Sequence, residues 1–227
     1  MNQCQYSFAR AGPPLGSAES LLITLHAKDE NLSDLAPLLA LADSGLAVYG
    51  VESNRPARIL PRADKAWKAD DIGRIWFLEH ETGNIEPATF GDALAQLELF
   101  LIDAIKNETG ASENVPRVFL YGTGQGATLA LTLLTLHPDH IDGVVSIDGQ
   151  LPLIPGAFEN RPMLSKLVRV SLNFNHSMFG IPDSRRDATV DAFRQSACRL
   201  ELNYLEGTGR PSLDRIRILI GQWQREN

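Results

Sequence analysis

Long apolar runs, clustered cysteines and stretches of basic charge are all missing from this chain, and each absence closes off a class of function. No stretch approaches the ~20 apolar residues that a membrane span requires. Met1 to Pro14 carries one late arginine and lacks the apolar run of a secretory signal, so a cytoplasmic protein is expected. Cys4 and Cys198 lie far apart and give neither metal-ligand nor redox spacing, so two free thiols and no metal or cofactor are expected. Lysine and arginine number 21 against 28 aspartates and glutamates, and the net charge of −7 disfavours nucleic acid and anionic membranes as partners. Internal repeats and low-complexity tracts are also missing. What remains is a chain of 227 residues, 44% of them hydrophobic, enough to bury one core in a single domain spanning residues 1–227.

Strands and helices alternate along it. Leu21 to Leu25 reads as a buried strand, Asp34 to Asp43 as a helix capped by Ser33, and Leu46 to Val51 as a second strand. Glu52 to Glu86 is a long connection holding Trp67 and Trp76, which either line a pocket or anchor the loop on the core. Phe90, Leu94, Leu97, Phe100, Leu101 and Ile105 recur at helical spacing, with Thr89 as the expected N-cap. After the loop from Gln150 to Met163 come a strand over Val168 to Phe174, a helix over Asp187 to Ala197, a short strand over Leu200 to Tyr204, and a closing helix from Ser212 to Trp223. This alternation predicts an α/β fold with a mostly parallel sheet.

Between these halves, Arg117 to Tyr121 reads as a strand, Gln125 to His137 as a helix and Ile141 to Ile147 as the next strand. The turn joining the first two is Gly122-Thr123-Gly124-Gln125-Gly126. A nucleophile elbow is written G-x-S-x-G, its serine lifted above the end of a parallel sheet by a sharp strand-to-helix turn. Both outer glycines are present, and the serine position is Gly124.

The segment Tyr121-Gly122-Thr123-Gly124-Gln125-Gly126-Ala127 resembles the elbow of the phospholipase/carboxylesterase branch of the α/β-hydrolases, whose members read G-[FY]-S-Q-G-[GA] there. The strand ending in His26, the segment Gly73 to Phe77, the helix from Phe90 and the apolar closing helix fall in the same order. The resemblance implies an α/β-hydrolase fold, a triad in the order Ser, Asp, His, and compatibility with a homodimer.

Every triad position departs from that pattern. Glycine at 124 removes the hydroxyl and also a backbone strain on the order of 1–3 kcal/mol. Thr123, one residue along a sharp turn, points elsewhere. The family's H-G-x-x-D-x-x-V-P segment, aligned on Ile181-Pro182, puts Met178 at the aspartate; Asn175, His176 and Ser177 lie close but none is a carboxylate, and Asp183 lies beyond the proline. The histidine slot, Gly209-Arg210, holds a guanidinium that cannot accept a proton. Each such loss alone impairs a triad by about a thousandfold or more.

The oxyanion hole is better kept. The N–H of Gln125 opens a helix whose dipole favours an anion, and His26-Ala27-Lys28-Asp29 stands where the family writes H-G-[LF]-G, with Lys28 at the second donor position. Lys28, Gln125 and Arg210 are therefore the candidate ligand-binding residues of a positively biased hollow. His26 reads as structural, His137 and His140 as a surface pair about a turn, and Glu79-His80 as an acid and base in a polar loop. The residues favour a hydrolase homologue that has lost serine hydrolysis and binds a small ester, an acyl or anionic ligand, or a protein. Two alternatives stand beside it: a lyase, isomerase or cyclase using the oxyanion pocket with His176, His80 or Glu79, and an esterase with an off-motif nucleophile.

Overall fold

The computed structural model describes residues 6–57, 73–80, 84–109, 114–152, 168–175, 181–205 and 210–225. Seven strands form one sheet: β1 (Ser7–Ala11), β2 (Ser20–Leu25), β3 (Leu46–Glu52), β4 (Arg117–Thr123), β5 (Gly143–Ile147), β6 (Val168–Asn175) and β7 (Cys198–Leu205). Their spatial order is β1-β3-β2-β4-β5-β6-β7, and β1 alone runs antiparallel to its neighbour. The parallel strands are apolar because both faces are covered. On one face lie α1 (Leu32–Leu39) and α5 (Leu213–Arg225), closing over Leu22, Phe119 and Tyr121 with Leu35, Ile216, Ile220 and Trp223. The opposite face buries Ile23, Leu120 and Val144 against α2 (Pro87–Thr109), α3 (Gln125–Leu136) and α4 (Asp183–Arg194).

The chain winds outward from β2 in one direction and from β4 in the other, so their adjacent carboxyl ends form the topological switch point where open α/β sheets bind ligands. His26-Ala27 leaves β2 there and Gly124 leaves β4. The expected α/β-hydrolase fold with a mostly parallel sheet is the fold observed.

Local details differ from the sequence expectation. Asn31 caps α1, accepting the Ser33 N–H at 2.9 Å while Asp34 accepts the Asn31 N–H, so the expected cap Ser33 lies inside the helix. Glu86 serves α2 instead of Thr89, accepting from Ala88 and Thr89, while the Thr89 hydroxyl accepts the Leu78 N–H at 3.0 Å. α4 starts at Asp183, immediately after Pro182, because proline favours a helix start and has no N–H to leave unpaired. β1, at the sheet edge with Phe8 exposed, carries too short an alternation to be read in advance. No helix among the described residues is long and apolar enough to cross a membrane.

Candidate functional site

The elbow is built by glycine for three separate reasons. A Cβ on Gly122 would stand 2.5 Å from the Ala127 nitrogen, and one on Gly126 would stand 2.6 Å from the His26 carbonyl oxygen, so α3 can cross β4 and β2 only where both residues lack side chains. Gly124 is different. A Cβ there would meet Ala27 Cβ at an ordinary 3.5 Å, but its φ of +52° is strained for any residue with a side chain. The turn from β4 into α3 thus combines a left-handed dihedral at Gly124 with open space beside it, and no side chain occupies that space. The Gly124 N–H is held by the Ile147 carbonyl at 2.8 Å. The neighbouring Thr123 is buried, and its Oγ1 has no hydrogen-bond partner among the described residues.

Gln125 divides its labour between backbone and side chain. Its N–H belongs to the first turn of α3, where helical partners are lacking. Its buried carboxamide accepts the Trp76 N–H at 2.9 Å and donates to the Phe77 carbonyl at 3.0 Å, fastening the long connection against the elbow. Trp76 is an anchor: it is fully buried, its indole N–H donates to the His26 carbonyl at 2.9 Å, and its ring stacks on the His26 imidazole at 4.7 Å. Trp67, the other aromatic of that connection, lies outside the described residues.

His26 holds the end of β2. Its Nε2 accepts the Ser53 N–H at 3.1 Å, which leaves the proton on Nδ1 to donate to the Ala27 carbonyl at 2.6 Å. Burial pushes its pKa below the ordinary imidazole value, and the group is a neutral strut.

Both candidate cations are paired with carboxylates. Lys28 Nζ lies 3.8 Å from Glu79 on an exposed rim. Arg210 bonds Glu30, whose other oxygen accepts the Ala27 N–H at 2.8 Å directly beside the elbow. Positive charge expected from Lys28 and Arg210 is therefore offset locally by Glu79 and Glu30. The buried Tyr121 phenol is pushed up to about 12 by desolvation, with Arg210 and Glu30 acting on it in opposite directions, which places the ion pair within electrostatic reach of the elbow strand.

Met178, His176 and Ser177 lie outside the described residues. Asn175 ends β6, and its N–H and side-chain amide donate to Asp148 at 2.8 and 2.5 Å. Asp148, φ +52°, follows β5 and so neighbours Gly124 along the sheet edge. Sequence reasoning passed over both Asp148 and Glu30; the only signal for Asp148 was the strand-ending Asp-Gly pair, and Glu30 carried none. His80 is exposed, and His137 meets Glu98 at 3.0 Å far along α3 from the elbow. Among the described residues no group of three or more histidine, cysteine, aspartate or glutamate side chains could hold a metal.

The sequence matches no protein-family model and no curated protein. Its fold matches solved structures closely. A carboxylesterase from Bacillus cereus superposes with a TM-score of 0.68 at 16% identity, over 97% of this chain and 94% of that one. A phospholipase/carboxylesterase from Dyadobacter fermentans gives 0.67 at 17% identity over 99% of each chain. A structure of YahD with malic acid gives 0.66 at 14% identity over 96% of this chain and 98% of that one. The fold is the α/β-hydrolase fold, and at these identities the likeness is one of fold alone.

Proposed function

We propose that this protein is a carboxylesterase-like α/β-hydrolase homologue that has given up serine hydrolysis and binds a small ester, acyl or anionic ligand at the switch-point crevice. The observation that carries the reading is Gly124 in a strained elbow with room for a Cβ: the backbone geometry of a nucleophile is kept while the nucleophile is absent. Arg210 supports it from the base position, because a guanidinium bonded to Glu30 cannot take a proton from any hydroxyl. The Gln125 N–H and the α3 dipole favour an anion at the elbow, where Glu30 acts as the internal competitor for Arg210. YahD, of similar fold, has been seen with malic acid, which makes hydroxy acids a first ligand set to screen.

The test is hydrolysis of short-chain p-nitrophenyl esters, with fluorophosphonate labelling alongside. The wild type should be inert and unlabelled, and Gly124→Ser with or without Arg210→His should recover little. Enzyme-like turnover by the wild type would end this reading.

A further inference from the structure

We propose that the outer stripe of α2 is a docking surface for a second copy of this chain, the two α2 helices lying antiparallel across a two-fold axis through Ile102. The surface is remote from the elbow: Gly124 caps one end of α3, while His137, on the wall of a groove beside α2, caps the other. α2 buries Phe90, Ala93, Leu97, Phe100, Leu101 and Ala104. A surface helix ordinarily turns charged and polar residues the other way. Here the middle of the outer face is apolar, with Leu99 42% and Ile102 41% exposed. Beside them opens a groove of about 360 Å³, floored by Leu101, Ile102 and Ile105 and walled by His137 and His140 at the end of α3. Exposed apolar side chains next to an apolar groove mark a contact surface.

The order of residues along the stripe selects a second copy as the occupant. Glu98 and Lys106 stand one turn to either side of Ile102, and Leu99 and Ile105 stand between them. In an antiparallel helix pair related by a two-fold axis, a residue before the axis meets the residue equally far beyond it on the partner. Glu98 then faces the partner's Lys106, and Lys106 faces the partner's Glu98, so one symmetry operation makes two contacts of opposite charge. Leu99 likewise faces the partner's Ile105, which puts each copy's exposed leucine over the other's groove, and Ile102 meets its own equivalent on the axis. The charges are available for this. Lys106 makes no ion pair among the described residues, and Glu98 uses only Oε1 in meeting His137 Nε2 at 3.0 Å. A small amphiphile in the groove would leave Leu99 exposed, whereas a partner helix covers both.

The experiment is sedimentation equilibrium of the full chain across a concentration series, with circular dichroism as the check on folding. It is repeated on Ile102→Asp, Glu98→Lys, Lys106→Glu and an equimolar mixture of the last two. The wild type should dimerise reversibly in roughly the micromolar range, because a single helix stripe buries less than the ~800 Å² per partner of a standard interface. Ile102→Asp should weaken the dimer by roughly thirtyfold or more, since the substitution sets two carboxylates together on the axis. Each charge variant sets like charges together twice and should weaken it by roughly 3–10-fold. The mixture should recover, because each variant brings charges of one sign that match the other's. A wild type that stays monomeric, with or without uptake of decanoate in the groove, overturns the proposal. So does a dimer indifferent to Ile102→Asp, or a mixture no tighter than its components. None of these outcomes bears on ester hydrolysis, so the reading of the elbow is tested separately.

Discussion

Arg210 and Glu30, 180 residues apart in sequence, are joined at the mouth of the elbow, and the same glutamate accepts the Ala27 N–H at 2.8 Å. One carboxylate thereby ties up two groups that an anionic ligand would seek, a guanidinium and a backbone N–H. Glu30→Gln removes the counter-charge of Arg210 and leaves one acceptor oxygen where two donors are now held. The variant is expected to bind acetate at the elbow several-fold more tightly than the wild type, and Glu30→Gln with Arg210→Gln should lose the gain, both read by chemical-shift titration. Stability should move by only about 0–1 kcal/mol, because the pair is partly exposed and screened.

Gly124→Ser isolates the role of the elbow glycine. The space for a Cβ exists, so the cost comes from φ +52° alone and should be about 1–3 kcal/mol in urea unfolding. Gly122→Ala, by contrast, sets a Cβ against backbone at 2.5 Å and should destabilise the fold by more than Gly124→Ser does. A Gly124→Ser protein as stable as the wild type would show that the turn is less strained than its dihedral implies.

Gln125 is held by the fold as much as by any ligand. Gln125→Leu leaves the Trp76 N–H and the Phe77 carbonyl buried without partners, and about 2–4 kcal/mol of stability should be lost. Trp76 lies in the released segment, so the variant's tryptophan emission should also shift to longer wavelength. Unchanged emission and stability would mean that the connection is held by other contacts.

These side chains also mark how far the sequence can be read. The elbow was legible because steric exclusion at Gly122 and Gly126 is local and leaves its mark on residue identity. The parallel strands were legible because burial on both faces makes them continuously apolar. Partnerships such as Glu30 with Arg210 and Asp148 with Asn175 were not, since they depend on which strand ends meet across the sheet, and a polar residue in a loop carries no sign of its partner. Gln125 was read for its N–H, while the work of its side chain became visible only when the segment ending in Phe77 was placed against it. The α1 cap was misassigned for a simpler reason: Asn31 and Ser33 are both good capping residues, and only the backbone decides between them.

The pH profile of stability should fall at both ends, for named reasons. Burial holds the His26 imidazole below its ordinary value of 6.5, so the unfolded chain takes up that proton first; its contribution is full above 6.5 and is lost as pH falls towards the folded value. Tyr49 and Tyr121 are pushed from 10.0 up to about 12, chiefly by burial, so the unfolded chain loses those protons first. Their contribution is full below pH 10 and is lost as pH rises towards about 12. Denaturant midpoints across this range, with absorbance near 295 nm following phenolate formation, should show Tyr49 and Tyr121 ionising late and together with loss of structure. Tyr49 and Tyr121 titrating near 10 in the folded protein would contradict the burial of these two phenols.

The largest single-site loss should come from a residue remote from the elbow. Glu108, fully buried on α2, accepts from Arg10 Nε at 2.7 Å and Nη2 at 3.0 Å, and from the Tyr49 hydroxyl at 2.7 Å. These bonds clasp β1 and β3 to α2 at the edge of the sheet. Glu108→Ala leaves a guanidinium part-buried without its counter-charge, and about 3–5 kcal/mol should be lost. Replacing Arg10 and Glu108 together by methionine removes the stranded charge along with the pair, so the double variant should be more stable than Glu108→Ala. A double variant no better than the single one would show that the clasp acts through the Tyr49 hydrogen bond rather than through charge.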